Sequence, residues 1–243
     1  MSELGAHAGG TSHPGTAGAS AALQHHFTSL EQQREASALG MWVFIAQEVL
    51  FFGGLFAAYT VYRSSYPEAF SAGSHHLSWK IGFFNTLVLI GSSLTMAMGV
   101  YSAAIGKKNR VVGFILATIL LGSVFLGVKY VEYGEKIRPC FGDGAHAGCL
   151  VPGERFDASA LHVEGAAAGH VQIFFSLYFG MTGLHALHMI IGIPILLVIA
   201  GAAWRGRYSP EYHTPVELVG LYWHFVDIIW IFLFPLLYLI GSH

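Results

Sequence analysis

Five long apolar runs, separated by polar stretches, set the pattern of the chain. Each is long enough for the roughly 20 residues that a bilayer core requires. They predict membrane-spanning helices over 38–62, 81–105, 111–134, 170–203 and 216–240. The fourth run would be roughly 50 Å long as a helix, so it must tilt, bend near Pro194 or project from the membrane. Residues 1–24 are rich in Gly, Ala, Ser, Thr and His without an apolar period and read as a disordered tail. They lack the cationic start and early short apolar run of a signal peptide. Thr28-Ser29-Leu30-Glu31 reads as a capping box opening a helix that continues into the first apolar run. The expected organisation is a tail followed by one all-α membrane domain over 25–243, with a long loop at 135–169.

Composition agrees with this pattern. The 243 residues are 54% hydrophobic and 11% charged, against about 25% charged for soluble domains. The net charge of −2 gives no reason to expect a nucleic-acid partner. Arg34, Lys107, Lys108, Arg110, Arg205 and Arg207 fall on one side of the membrane, several of them in tight turns at helix ends. Arg63, Lys80, Lys136, Arg138 and Arg155 are spread over two longer loops on the other. Positive charge beside helix ends faces the cytoplasm, so the N-terminus is expected inside and the C-terminus outside. Cys140 and Cys149 then lie in an external Gly-rich loop, where an oxidising compartment lets them pair. No internal repeat is visible, and five spans do not split into equal halves, which argues against the commonest transporter plans.

Polar groups within the spans carry the candidate chemistry. Glu48 falls about ten residues into the first run, near mid-membrane, where a carboxylate is protonated or paired. It either braces a neighbouring helix or handles protons. Asn85, Ser92 and Gly99 recur every seven residues and predict a close helix–helix seam. Lys129 and Glu132 are three apart and can pair near the outer end of the third span, where a long side chain reaches the interface. His185 and His188, at i and i+3, offer two ligands to a metal or haem, with His224 the obvious third, or else form a hydrogen-bonded polar seam. Glu217, His224 and Asp227 share one face of the last span and should face polar groups of spans one, three and four.

Five motifs in order then carry a family resemblance. "MWVFIAQEVLFFGGLFAAY", "FFNTLVLIGSSLTMA", "GVKYVEY", "FFSLYFGMTGLHALHMIIG" and "ELVGLYWHFVDIIWIFLFPLLY" together resemble subunit III of the haem–copper cytochrome oxidases, in the short five-helix bacterial form. The resemblance covers about residues 25–241, apart from much of 135–165. It implies a V-shaped bundle, two helices forming one arm and the rest the other, with phospholipids in the cleft. It also implies no catalytic centre, haem or metal in this chain, the haem and copper residing in partner subunits. The direct partner would be subunit I, alongside subunit II and other oxidase subunits, in the bacterial cytoplasmic membrane; membership of a respiratory supercomplex stays open. Glu48 would occupy the family's buried glutamate position in the lipid-lined cleft. Glu132, His185, His188, Glu217, His224 and Asp227 match polar positions lining or bracing the arms, and Arg205 or Arg207 at the cytoplasmic rim could meet lipid phosphate. Gln47 stands where the family usually has a small residue, and the loop bearing Cys140 and Cys149 has no clear counterpart.

The function implied is a non-catalytic subunit of a proton-pumping terminal oxidase that stabilises subunit I, binds lipid and supports proton uptake. A quinol oxidase and a nitric-oxide-reductase accessory protein remain alternatives within that reading. A stand-alone haem or metal membrane protein using the histidines is the rival from another class.

Overall fold

A computed structural model describes residues 27–141, 148–153, 156–157, 161 and 166–239, with side chains from 169 onward in the last stretch. The tail expected over 1–24 lies outside the described residues, as does much of the 135–169 loop. The described part is all-helical: α1 (Leu30–Ser65), α2 (Pro67–His75), α3 (Trp79–Ala104), α4 (Lys108–Ile137), α5 (Ala166–Trp204) and α6 (Thr214–Phe234). A 3-10 turn over Arg138–Phe141 extends α4, and a π-helical turn over Pro235–Leu239 extends α6. All but α2 give segments long and apolar enough to cross a membrane, five in all.

Local chemistry explains most boundaries. Ser29 is the N-cap of α1: its hydroxyl accepts from the Gln32 backbone N–H at 3.1 Å, and the Gln32 side chain reaches back to the Thr28 N–H at 2.9 Å. The capping box is therefore Ser29 to Gln32, one residue later than the sequence suggested. Gly106 at φ 70° and Gly206 at φ 72° end α3 and α5 in the left-handed conformation. The short helix α2 was not anticipated, although Pro67 at its first position and Glu68 in its first turn are start signals. The helix α5 runs through Pro194 unbroken and, at 39 residues, is longer than any other. Near its start it packs on α2, with the Phe174 ring seated over Gly73.

The packing divides as four helices and one. The helices α3 to α6 form a bundle, with α3 against α4 and α6, and α5 against α4 and α6. In place of a two-helix arm, α1 alone lies along α5 and α6. Only Glu48, Phe52 and Tyr59 are buried on it, a single stripe at spacings of four and seven. The seam predicted from Asn85, Ser92 and Gly99 is buried in the bundle, and Gly99 brings α3 close to Phe114 and Ile115 of α4.

At the bundle's centre sits Trp223 of α6, fully buried. Its indole N–H donates to Ser92 Oγ of α3 at 2.9 Å. Its ring lies over Gly122 of α4 and Gly192 of α5, where an added Cβ would come within 2.9 and 3.0 Å of it. One side chain thus touches all three other helices of the group, and two glycines make room for it.

The end of the bundle near α2 is closed covalently as well. Cys140 and Cys149 form a disulfide with an S–S distance of 2.04 Å, tying the end of α4 to the segment that precedes α5. Thiol labelling of denatured, unreduced protein is expected to find no reactive cysteine, and two after reduction. Two thiols before reduction would contradict the link.

Candidate functional site

Most of the charged groups inside the spans fall into three separate sites, each built differently. The first joins α1 to α5. Glu48 Oε2 lies 3.4 Å from His188 Nε2, with the two side chains 12% and 15% exposed. His188 Nδ1 is 2.8 Å from the Leu184 carbonyl one turn earlier. A carbonyl only accepts, so Nδ1 carries a proton. Nε2 is thus the ring atom that faces the Glu48 carboxyl and joins α5 to α1. Phe52 packs on the His188 ring at 5.6 Å, and the Tyr222 hydroxyl donates to the His188 carbonyl at 2.9 Å. At this depth α1 touches α5 directly, where a cleft was expected. Gln47 is exposed on the outer side of α1.

The second site is a buried ionic cluster near the opposite end of α4. Lys129 Nζ donates to Glu132 Oε2 at 2.7 Å, and both side chains are 3% exposed. Glu132 Oε1 accepts from the Tyr178 hydroxyl at 2.9 Å and the Tyr238 hydroxyl at 2.7 Å, with Lys136 Nζ 3.9 Å away. The Lys129 ammonium is further enclosed by the rings of Tyr133, Tyr178, Trp230 and Tyr238, at 5.1 to 5.7 Å. The lysine therefore turns inward instead of reaching for the interface. The reason is local: four aromatic rings and a carboxylate replace the water it gives up. The cluster ties α4, α5 and the π-turn after α6 together. Sequence reasoning missed Lys136, Tyr178 and Tyr238; Lys136 could have been found, since it lies four residues after Glu132 on the same face.

The third site is on α6. His224 Nδ1 and Ser93 Oγ of α3 are 2.7 Å apart. Ser93 also lies close to Asp227. With His224 Nδ1–H donating to Ser93 Oγ, the Ser93 hydroxyl is free to turn to Asp227, whose oxygens are enclosed. The partners expected from spans one, three and four are thus replaced, for His224, by a serine of span two. Glu217 separates from this pair: it sits at the start of α6 with His213 at 3.2 Å and Arg34 of α1 at 3.9 Å.

The histidines do not converge. His188 turns to α1, whereas His185 turns into the bundle, 5.3 Å from the Phe125 ring and 5.2 Å from Trp230. Positions three apart on a helix differ by about 60° in direction, and here that angle sends the pair to different neighbours. Among the described residues no three His, Cys, Asp or Glu side chains come together as a metal site. Arg205 and Arg207 flank the turn after α5, exposed, and Gly106 at the end of α3 lies within reach of Pro210. The two short basic turns are therefore neighbours at the same end of the bundle.

The family model described as Cytochrome c oxidase subunit III matches residues 19–163 and 162–242. The chain belongs to that family. Subunit III of Thermostichus vulcanus cytochrome c oxidase is 35% identical over 212 residues, covering 83% of this chain and 86% of the relative. Subunit III of Corynebacterium diphtheriae cytochrome c oxidase is 31% identical over 205 residues, covering 84% and 87%. Subunit III of a cytochrome bo(3) ubiquinol oxidase from Pseudomonas aeruginosa is 25% identical over 206 residues, covering 85% and 86%. As a subunit III of a haem–copper oxidase, the chain is a multi-pass membrane protein that works in a complex with other oxidase subunits. In this chain the Glu48–His188 contact is one of the points where α1 meets the rest of the bundle.

Proposed function

We propose that this subunit III is non-catalytic and serves a proton-pumping terminal oxidase by covering the flank of subunit I, holding lipid and sustaining proton uptake. The observation that carries this reading is the Glu48–His188 pair. It joins the middle of α1 to the middle of α5, far from either helix end, so it suits a brace between two helices better than a proton inlet. The exposed apolar surface of α1, including Leu39, Trp42, Val43, Leu50 and Val61, needs lipid or another subunit against it. Phospholipid along both flanks of α1 fits that surface. Arg205 and Arg207 suit lipid phosphate at the basic end of the bundle, which we place on the cytoplasmic side of a bacterial inner membrane, with the C-terminus outside. The redox centres are assigned to the partner subunits, because the three intramembrane histidines each have a different local environment. Cytochrome c as electron donor is favoured over quinol by the higher identity to the cytochrome c oxidase relatives.

The test is steady-state turnover and inactivation of the purified oxidase against pH, with and without this chain. The depleted enzyme is expected to take up protons more slowly as pH rises and to inactivate sooner. Identical behaviour at every pH and through prolonged turnover would overturn the reading. Glu48→Gln keeps the shape and a polar group facing His188, so assembly and haem spectra should be unchanged. Its turnover should stay within about twofold, about 0.4 kcal/mol of barrier.

A further inference from the structure

The Lys129–Glu132–Lys136 cluster lies close to the end of α4 that leads into the long loop. Glu132 is roughly 8 Å along the axis from Ile137, the last residue of that helix. Water ordinarily reaches charges so near a helix end, yet none of the three side chains is more than 7% exposed. The segment that precedes α5 forms the layer just beyond them. Cys149, 1% exposed, is bonded to Cys140, which stands one turn after Lys136 with its sulfur 3.8 Å from the Lys136 carbonyl. Leu150 and Leu161 are buried with the core. Phe156 packs on Phe175 of α5 at 6.1 Å, Phe175 packs on Tyr178 at 6.3 Å, and the Tyr178 hydroxyl donates to Glu132. The segment also closes on itself. The Asp157 backbone N–H donates to the Cys149 carbonyl at 2.9 Å, and the Asp157 carboxylate accepts from the Gly148 N–H at 2.9 Å. Phe156 and Gly153 grip α5, whereas the disulfide grips α4 and is covalent.

We propose that the Cys140–Cys149 disulfide clamps this segment as a seal over the Lys129–Glu132–Lys136 cluster, so that the subunit becomes watertight there only after its thiols are oxidised outside the membrane. Two ammonium groups and one carboxylate attract more strongly in a dry surround than in water. Admitting water above Lys136 weakens the Lys129–Glu132 pair and loosens the tyrosines that hold α5 and the end of α6 to it. The partner this implies is a disulfide-bearing oxidant of the external compartment. Two thiols of this chain give up two protons and two electrons, the S–S bond forms, and the oxidant leaves as a dithiol. The proposal rests on placing this end of the bundle outside the membrane, and adds what the cysteine-bearing loop does there.

The experiment compares the intact oxidase carrying the parent chain with one carrying Cys140→Ser and Cys149→Ser. A water-soluble amine-acylating ester is applied to both, and modification of Lys136 is read by mass spectrometry against the exposed Lys107 and Lys108. Lys136 should react about tenfold more slowly in the parent, because reaction there requires local opening. Equal rates would overturn the seal. A second background separates sealing from simple tethering. In the parent the serine pair should lower recovery of this chain on the oxidase about fivefold, but less than about twofold once Lys129→Met, Glu132→Gln and Lys136→Met have removed the charges. Equal loss in both backgrounds would overturn the proposal, leaving the disulfide a plain staple. If the serine pair leaves no chain on the oxidase, the neutralised background decides: restored recovery supports the seal and continued loss overturns it. Parent chain made in the presence of dithiothreitol should match the serine pair. Reduced cysteines in parent oxidase purified without reductant would overturn the external placement itself, an outcome distinct from oxidised cysteines with equal labelling.

Discussion

Trp223→Ala is expected to be the most damaging single change in the bundle. Truncation removes the ring that fills the slot between Gly122 and Gly192 and the donor to Ser92. Trp-to-Ala changes in tightly packed cores cost about 3–5 kcal/mol. In a membrane the transfer of apolar surface contributes little between helices, because lipid is as apolar as the ring. The packing contribution remains in full, since glycines have no side chains to move into the space. The measurement is resistance to denaturing detergent, read by circular dichroism, together with recovery of the chain in the assembled oxidase. Both should fall sharply, whereas Ser92→Ala, which removes only the indole's acceptor, should cost about 1–3 kcal/mol. Parent-like resistance of Trp223→Ala would show that the helices are held elsewhere.

Glu132→Ala should come next in severity. It strips the counter-charge from Lys129, which is 3% exposed, and leaves the Tyr178 and Tyr238 hydroxyls without their acceptor. Breaking a buried pair by removing one member typically costs about 3–5 kcal/mol. Replacing both charges should be milder. Lys129→Met combined with Glu132→Gln leaves no isolated charge and keeps an acceptor for the tyrosines, so the double variant should be more stable than Glu132→Ala alone. The same detergent titration checks this. A double variant weaker than the single one would mean that the tyrosine hydroxyls and aromatic rings around Lys129, and not its pairing with Glu132, hold the ammonium in place.

The fold was legible because membrane helices declare themselves by length and apolar content, and each of the five expected spans overlaps an observed helix. The ends were less so. The prolonged start of α5 carries ordinary small residues, and the helix packs near that start on α2, a short element hidden in a polar loop. The site was legible residue by residue but not pair by pair. Lys129 and Glu132 are local in sequence, so their pairing could be read; the inward turn of the lysine depends on tyrosines 49 and 109 residues away. Glu48 announced itself as a buried acid, whereas its partner His188 could not be chosen over His185 without knowing how α5 is rotated. The glycines at 122 and 192 carry no signal alone, because only helix register aligns them on Trp223.

The seam that holds α1 has a consequence for biosynthesis. Beyond Phe70 of α2, its partners include His188, Glu217, Tyr222 and the carbonyl of Leu236, which accepts from the Tyr59 hydroxyl at 2.7 Å. All of them leave the ribosome long after α1 has done so. The first helix to be inserted is therefore among the last to dock, and it must wait in the bilayer while α3 and α4 close their hairpin. A nascent chain halted before α6 would display α1 with its acid unattended, a ready mark of an unfinished subunit for membrane quality control to read.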